Sequence, residues 1–239
     1  RFDTGGTERA IIDSTGLGIG TSSPAYKVDI QDTSDPAQIR IKEDGNTNGF
    51  IIKNYDGNEA QLVNADNGPM VFKTNDTEAM RIDSAGIVTK PLQSGFSVKF
   101  SSSSDVSLTS TAYTTIPFNS ERWDNNGDFD TSTYTFTAPV TGKYLFNYSL
   151  GFNSMDNSNT WFVILIITSN HSYHQWIAPD DMFTGGDLNG NFTMKTSAVA
   201  DMDASDTAYA QVYIYNGTAS QFTYIGDNRV SYFTGYLLG

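Results

Sequence analysis

"TAYAQVYIY", residues 207–215, decides the fold of the larger part of this chain. Ala208, Ala210, Val212 and Ile214 fall on one side of an extended strand, and Tyr209, Gln211, Tyr213 and Tyr215 on the other. Period two is strand geometry, because successive side chains leave a strand on opposite faces. The aliphatic side suits a core. A side of tyrosines is more than water requires, and it predicts packing against a neighbouring subunit, with Trp161 joining Tyr209, Tyr213 and Tyr215. "WFVILIIT", from Trp161, is apolar on both sides and is predicted to be covered on both.

The same grammar runs outward from Phe96 to the end. Candidate strands lie at about 96–101, 111–118, 133–138, 143–151, 160–168, 173–177, 191–199, 207–216 and 230–238. Short strands divided by Gly- and Asn-rich turns mean a sandwich or a barrel. Composition agrees: hydrophobic residues are 38% of the 239, aromatics 13%, and no long stretch carries apolar residues at helical spacing. The chain reads as all-β.

Charge and cysteine count exclude several functions. A net charge of −13 repels nucleic acid. With no cysteine there are neither disulfides nor thiol metal sites. No apolar run reaches the roughly 18–20 residues that span a bilayer, so no membrane insertion is expected. Arg1 begins mid-phrase, which reads as a portion of a longer chain.

Residues 1–93 have another texture: polar, rich in Gly and Asp, poor in aromatics. Turn pairs such as Thr15-Gly16, Asp44-Gly45, Asp56-Gly57 and Asn67-Gly68 separate thin strands. Ile39 and Ile41 share one strand face, as do Met80 and Ile82. "TERAIIDSTGLGIG", from Thr7, and "TEAMRIDSAGIVTK", from Thr77, repeat one phrase. Each unit buries too little to offset its ordering entropy. Three copies wound about a shared axis would supply what one lacks. The division expected is a repetitive β shaft over 1–93 and a tip over 94–239.

Two resemblances add to this. "IIDSTGLGIGTSSPAYKVDI" (11–30) and "TEAMRIDSAGIVTKP" (77–91) resemble modules of bacteriophage tail fibres and related appendages. "FSVKF" from Phe96, "IPFNSERWDNNGDFDTSTYTFTAPVTGKYLFNYSL" from Ile116, "MDASDTAYAQVYIYNG" from Met202 and "SYFTGYLL" from Ser231 resemble the C1q-like, tumour-necrosis-factor-like jelly roll. That resemblance implies a compact homotrimer with a binding role, and framework positions at Gly142, Tyr144, Phe146, Phe233 and Gly235. It places Asp206 as a turn acid, with Ser205 where glycine is usual.

Catalytic motifs are absent. There is no Gly-x-Ser-x-Gly elbow, phosphate loop or zinc helix, and His171 and His174 are three apart on a strand, on opposite faces. No pair of carboxylates stands out for glycoside hydrolysis, so no enzyme is expected. Asn-x-Ser/Thr triplets at Asn75, Asn147, Asn170, Asn191 and Asn216 arise by chance in so polar a chain. Calcium is the one cofactor to consider. Asp124, Asp128 and Asp130 in "DNNGDFD" suggest a calcium loop, though Gly127 comes two positions too early for an EF-hand and the final Glu is missing. The C1q resemblance, through family members that bind calcium in apical loops, adds Asp180 and Asp181 in "APDDMFTGGD". Solvated turns account for the same residues.

Alternating strand directions locate the loops. Counting from the shaft, the connections at 119–132, 152–159, 178–190 and 217–229 are expected at the far end, and those at 139–142, 169–172 and 200–206 near the shaft. The far loops carry the candidate receptor contacts: Trp123, Asp124 and Asn126; Asn153, Asp156 and Asn157; Asp181, Phe183 and Asp187; Phe222, Tyr224 and Asp227. Amide and carboxylate groups beside aromatic rings suit a glycan, or anchor the loops themselves. The expected molecule is a homotrimeric fibre or spike on a virion surface, attached to other virion or appendage proteins on its N-terminal side, its tip binding a host-surface glycan or protein. The alternatives are a trimerisation cap, a capsid or filament decoration, and a bacterial adhesin.

Overall fold

The structure, a computed structural model, describes residues 2–4, 7–31, 38–42, 44, 48–55, 59–101, 106–155, 160–179, 188–216, 222–225 and 230–239. The chain divides into two compact units, Arg1–Lys90 and Pro91–Gly239.

The first unit holds three small sheets. β1 (Phe2–Thr4), β2 (Thr7–Ile12), β3 (Leu17–Ile19) and β4 (Val28–Ile30) line up in that order, the last pair parallel. β5 (Gln38–Ile41), β6 (Phe50–Tyr55) and β7 (Glu59–Asn64) form an antiparallel meander. β8 (Met70–Thr74), β9 (Thr77–Ile82) and β10 (Val88–Thr89) form the third sheet with β9 central. The repeated phrase is a turn unit. Asp13 Oδ1 accepts the N–H groups of Thr15 and Gly16, and Asp83 Oδ1 those of Ala85 and Ile87. An Asp at this position stands in for a backbone carbonyl and closes the turn locally. Gly86 then takes φ +83°, a left-handed conformation that costs glycine little.

Each small sheet has one apolar face. Cross-strand pairing aligns Ile39, Ile52 and Leu62 in one row, and Ile41 with Phe50 in the next. Ile12 pairs with Leu17 and Leu17 with Val28, while Ile19 sits between Ala10 and Ile30. Met70, Ile82 and Val88 make a third row beside Phe72 and Met80. Within one chain these faces are only partly covered: Leu17, Phe50, Met70 and Ile82 are half-buried, while Ile12 is 66% exposed, Ile41 63% and Leu62 55%. A two- or three-stranded sheet with an uncovered apolar face is marginal in water.

The second unit is a two-layer sandwich. One sheet has the order β12 (Val106–Leu108), β22 (Phe222–Ile225), β17 (Gly142–Met155), β23 (Tyr232–Leu237), β11 (Gly95–Lys99) and β14 (Ser120–Asp124), with β20 (Leu188–Met202) also on β17. The other runs β15 (Phe129–Asp130), β16 (Thr135–Thr137), β21 (Thr207–Tyr215), β18 (Trp161–Thr168) and β19 (Ser172–Ile177), with β13 (Tyr113–Thr115) also on β21. Ala208, Ala210, Val212 and Ile214 face inward, as the alternation of 207–215 requires. From the opposing sheet come Phe96, Tyr144, Phe146, Tyr148, Phe152 and Phe233. Rings therefore fill most of the gap: Phe96 lies 5.0 Å from Phe136, and Phe146 stacks on Phe233 at 5.7 Å. Gly235 leaves room for this. A Cβ there would come within 2.4 Å of Phe96 and 2.8 Å of Phe146.

Several elements differ from expectation. β17 and β20 are longer than the strands read at 143–151 and 191–199, because they pair with each other from Gly142↔Met202 to Met155↔Leu188. The connections read at 119–132 and 217–229 contain strands β14, β15 and β22, and the strand read at 111–118 is only β13.

Candidate functional site

Register fixes the two ends of the sandwich. Gly95, where the chain enters, pairs with Tyr236, and Tyr144 pairs with Leu237. The turns at 139–142, 169–172 and 203–206 gather at this end: Thr141 Oγ1 lies 3.4 Å from Asp203 Oδ1, and Asn170 Nδ2 donates to Asp206 Oδ2 at 2.6 Å. Met155, Leu188, Trp161 and Tyr215 end their strands at the opposite, far end.

The loop after β14 is a correction. Asp124 pairs with Phe96, and the N–H of Asn125 donates to Gly95 O, so Trp123, Asp124 and Asn126 stand at the end where the chain enters, not the far end. The physical reason is β14, which runs antiparallel to β11 and carries the chain back to its beginning. Asn126 Nδ2 donates to Leu92 O and Asn125 Nδ2 to Gln93 O, tying this loop to the incoming segment. Trp123 packs against Tyr236 with centroids 5.4 Å apart.

Asp124 closes its own loop. Its Oδ1 accepts the N–H groups of Asn126, Gly127 and Asp128, and its Oδ2 that of Phe129. Both oxygens face donors, the reverse of what a cation needs. Asp130 Oδ1 accepts from the Ser132 hydroxyl and N–H, and these bonds hold its carboxyl below the usual carboxylate range. Among the described residues no three acidic or imidazole side chains converge on a metal position, so Asp124, Asp128 and Asp130 do not form the calcium cage considered above. Asp180 and Asp181 lie outside the described residues, as do Asp156, Asn157, Phe183, Asp187 and Asp227. Asn153 is exposed near the far end of β17, beside an irregularity in its pairing with β20. Phe222 and Tyr224 belong to β22, opposite Leu108 and Val106, and their side chains are outside the described set.

The residues that do come together are on the outer face of the β13–β21–β18–β19 sheet, toward the far end. Tyr215 pairs with Trp161 in one row. In the next, Tyr113, Tyr213, Val163 and Trp176 lie side by side, and in the third Thr115, Gln211, Leu165 and His174. All of these except Thr115 and Gln211 line a groove of about 350 Å³. Trp161 stacks on Tyr215 at 5.4 Å and meets Trp176 at 6.1 Å with the rings inclined by 62°. Tyr113 lies 4.4 Å from Tyr213. Leu165 forms the floor, 1% exposed yet outside the sandwich core, because the surrounding rings cover it. Beyond the rings the face turns polar: Gln211 Nε2 donates to Thr115 Oγ1, and a His174 ring nitrogen lies 3.0 Å from Ser172 Oγ. Tyr209 shares the face but lies toward the other end of β21, opposite Ile167. Sequence reading had found Trp161, Tyr213 and Tyr215; it missed Tyr113 and Trp176, which only the pairing of separate strands brings in.

Comparison with known proteins agrees with this architecture. No curated protein matches the chain. Among solved structures it is similar to the globular domain of zebrafish complement 1qA protein, at 16% identity over 62% of this chain and 98% of that one, with a TM-score of 0.44. It is also similar to Eiger TNF from S. frugiperda (11%, covering 62% and 94%, TM-score 0.44) and to murine APRIL (7%, covering 61% and 99%, TM-score 0.42). A family model, that of the C1q domain, matches residues 95–238. C1q domains are in general structural or ligand-binding modules, and typically homotrimeric. By that match, which covers more than half of its length, the chain belongs to the C1q domain family.

Proposed function

We propose that this protein is a homotrimeric appendage fibre, a β shaft over the first unit and a C1q tip over the second, which attaches a virion to a host surface. The observation that carries the trimer is the set of apolar residues left open on each small sheet of the shaft: Ile12, Ile41, Leu62 and Val88 are all more than half exposed in a single chain. Three chains wound together cover such faces with one another. The homotrimeric habit of C1q domains supports the same number at the tip. Three equivalent tips then convert weak single-site binding into avidity on a dense receptor. The viral setting rests on the resemblance of 11–30 and 77–91 to fibre modules. Light scattering tests the assembly: the mass in solution is expected at three times the 26.2 kDa of one chain, and a stable monomer at micromolar concentration sinks the reading. Host attachment is tested separately, by binding of the whole protein to bacterial cells carrying intact or stripped surface polysaccharide.

A further inference from the structure

We infer that the aromatic groove on the outer face of the β13–β21–β18–β19 sheet is a binding site for an uncharged pyranose. This rests on the host-attachment reading above for its biological use, but not for its chemistry. A pyranose ring offers an apolar face of C–H bonds and a rim of hydroxyls. It is recognised by an aromatic plane beneath the one and hydrogen-bonding groups around the other. The groove has both in the right order. Trp176 is 61% exposed and Trp161 44%, and their rings meet at 62° to form an open corner. Stacking on Tyr215 steadies Trp161 in that corner. His174 lines the groove one strand row further along, where ring hydroxyls would fall.

Three observations favour a small neutral ligand over a second copy of the chain. The groove is concave, and its volume of about 350 Å³ falls at the small end of the ligand-pocket range of ~300–1,000 Å³. Eight residues line it, whereas a stable protein interface takes roughly 20–30 a side. The lining contains no Lys, Arg, Asp or Glu, so nothing there pairs with a charged sugar, and the net charge of −13 repels an acidic one. The assignment moves Trp161, Tyr213 and Tyr215 from a subunit contact to a ligand platform.

The test uses the full chain carrying Trp123→Phe, so that the two remaining tryptophans report on the groove alone. Methyl β-D-glucopyranoside, methyl β-D-galactopyranoside and methyl α-D-mannopyranoside are titrated by saturation-transfer NMR and tryptophan fluorescence. At least one is expected to bind in the low-millimolar range and to shift the fluorescence. Trp176→Ala and Trp161→Ala are each expected to weaken that binding at least tenfold, with the circular dichroism and solution mass unchanged. The proposal is overturned if none of the three sugars gives saturation transfer, or if Trp176→Ala binds as well as the parent. It is also overturned if Trp176→Ala lowers the solution mass, since the groove is then a subunit contact. Binding to cells separates the two claims. Sugar binding without attachment to any host removes the attachment reading and leaves the site. Attachment to cells by a parent protein that binds none of the three sugars removes the site and leaves attachment.

Discussion

Ser205 occupies a left-handed position, φ +77°, in the turn between β20 and β21. A Cβ there costs roughly 1 kcal/mol relative to glycine. The turn persists because Asp206 holds it: Asp206 Oδ2 accepts from the N–H of Asp203 and from Asn170 Nδ2, joining two turns through one carboxylate. Ser205→Gly is therefore expected to raise the tip's melting temperature by about 2–4 °C, read by differential scanning calorimetry. Gly235 shows the opposite constraint. With two phenylalanine rings where its Cβ would stand, Gly235→Ala should destabilise by about 1–3 kcal/mol, measured as a lower denaturant midpoint at constant slope. In the shaft, Arg81 grips Glu78 through Nε at 2.9 Å and Nη2 at 2.6 Å, which holds the carboxyl below its ordinary value of 4.5. Because the folded value is the lower one, this contribution is complete above the ordinary value and fades as the pH falls through the depressed one. An NMR titration of the Glu78 carboxyl should place its midpoint below 4.5, and Arg81→Gln should return it toward that figure.

At the scale of elements, strand alternation made most of the fold legible. The inward aliphatics of β21, the shared face of Ile39 and Ile41 and the framework set Tyr144, Phe146 and Phe233 all follow from period two or from the C1q resemblance. What sequence did not show was pairing between distant segments. β12 is three residues long and β22 four, too short to stand out, and each is fixed by the other across more than a hundred residues. The Asp124 loop read as a distal or cation-binding element because its composition is acidic. Its carboxylate instead serves four N–H groups of its own turn, and composition cannot tell those uses apart. The groove was half visible for the same reason that β12 was invisible: Tyr113 and Trp176 become neighbours of Tyr213 only across strand pairs. The open faces of the small sheets make their own prediction. Ile52→Asp, in the Ile39–Ile52–Leu62 row, should strip amide-exchange protection from the first unit while leaving the thermal transition of the second within about 1 °C, since the residue belongs to the other compact unit.

For the whole molecule, the two units differ in how they obtain a core. The second unit packs its rings within one chain, whereas the small sheets of the first leave much of their apolar rows exposed. Cleavage near Thr89 is thus expected to release a tip that stays folded and trimeric, and a shaft peptide that fails to assemble alone. Size-exclusion chromatography with light scattering reads both fragments. The large negative charge adds a salt dependence: close packing of three acidic chains raises self-repulsion, so assembly should strengthen between 20 and 200 mM salt, a range that shortens the screening length from roughly 20 Å to 7 Å.

The placement of β11 bears on how the second unit carries load. The strand begins where the chain enters the tip and lies between β14 and β23, antiparallel to both. Gln93 Nε2 and the N–H of Leu237 add a further clasp, donating to Leu237 O and Ser94 O. If the protein tethers a particle as proposed, a pull on Pro91 against a held far end runs along the strand's own axis. Its hydrogen bonds on both flanks are then strained sideways and together, as in a lap joint, instead of parting one after another like a zip. On the attachment proposed above, a pull on this strand therefore loads many hydrogen bonds at once.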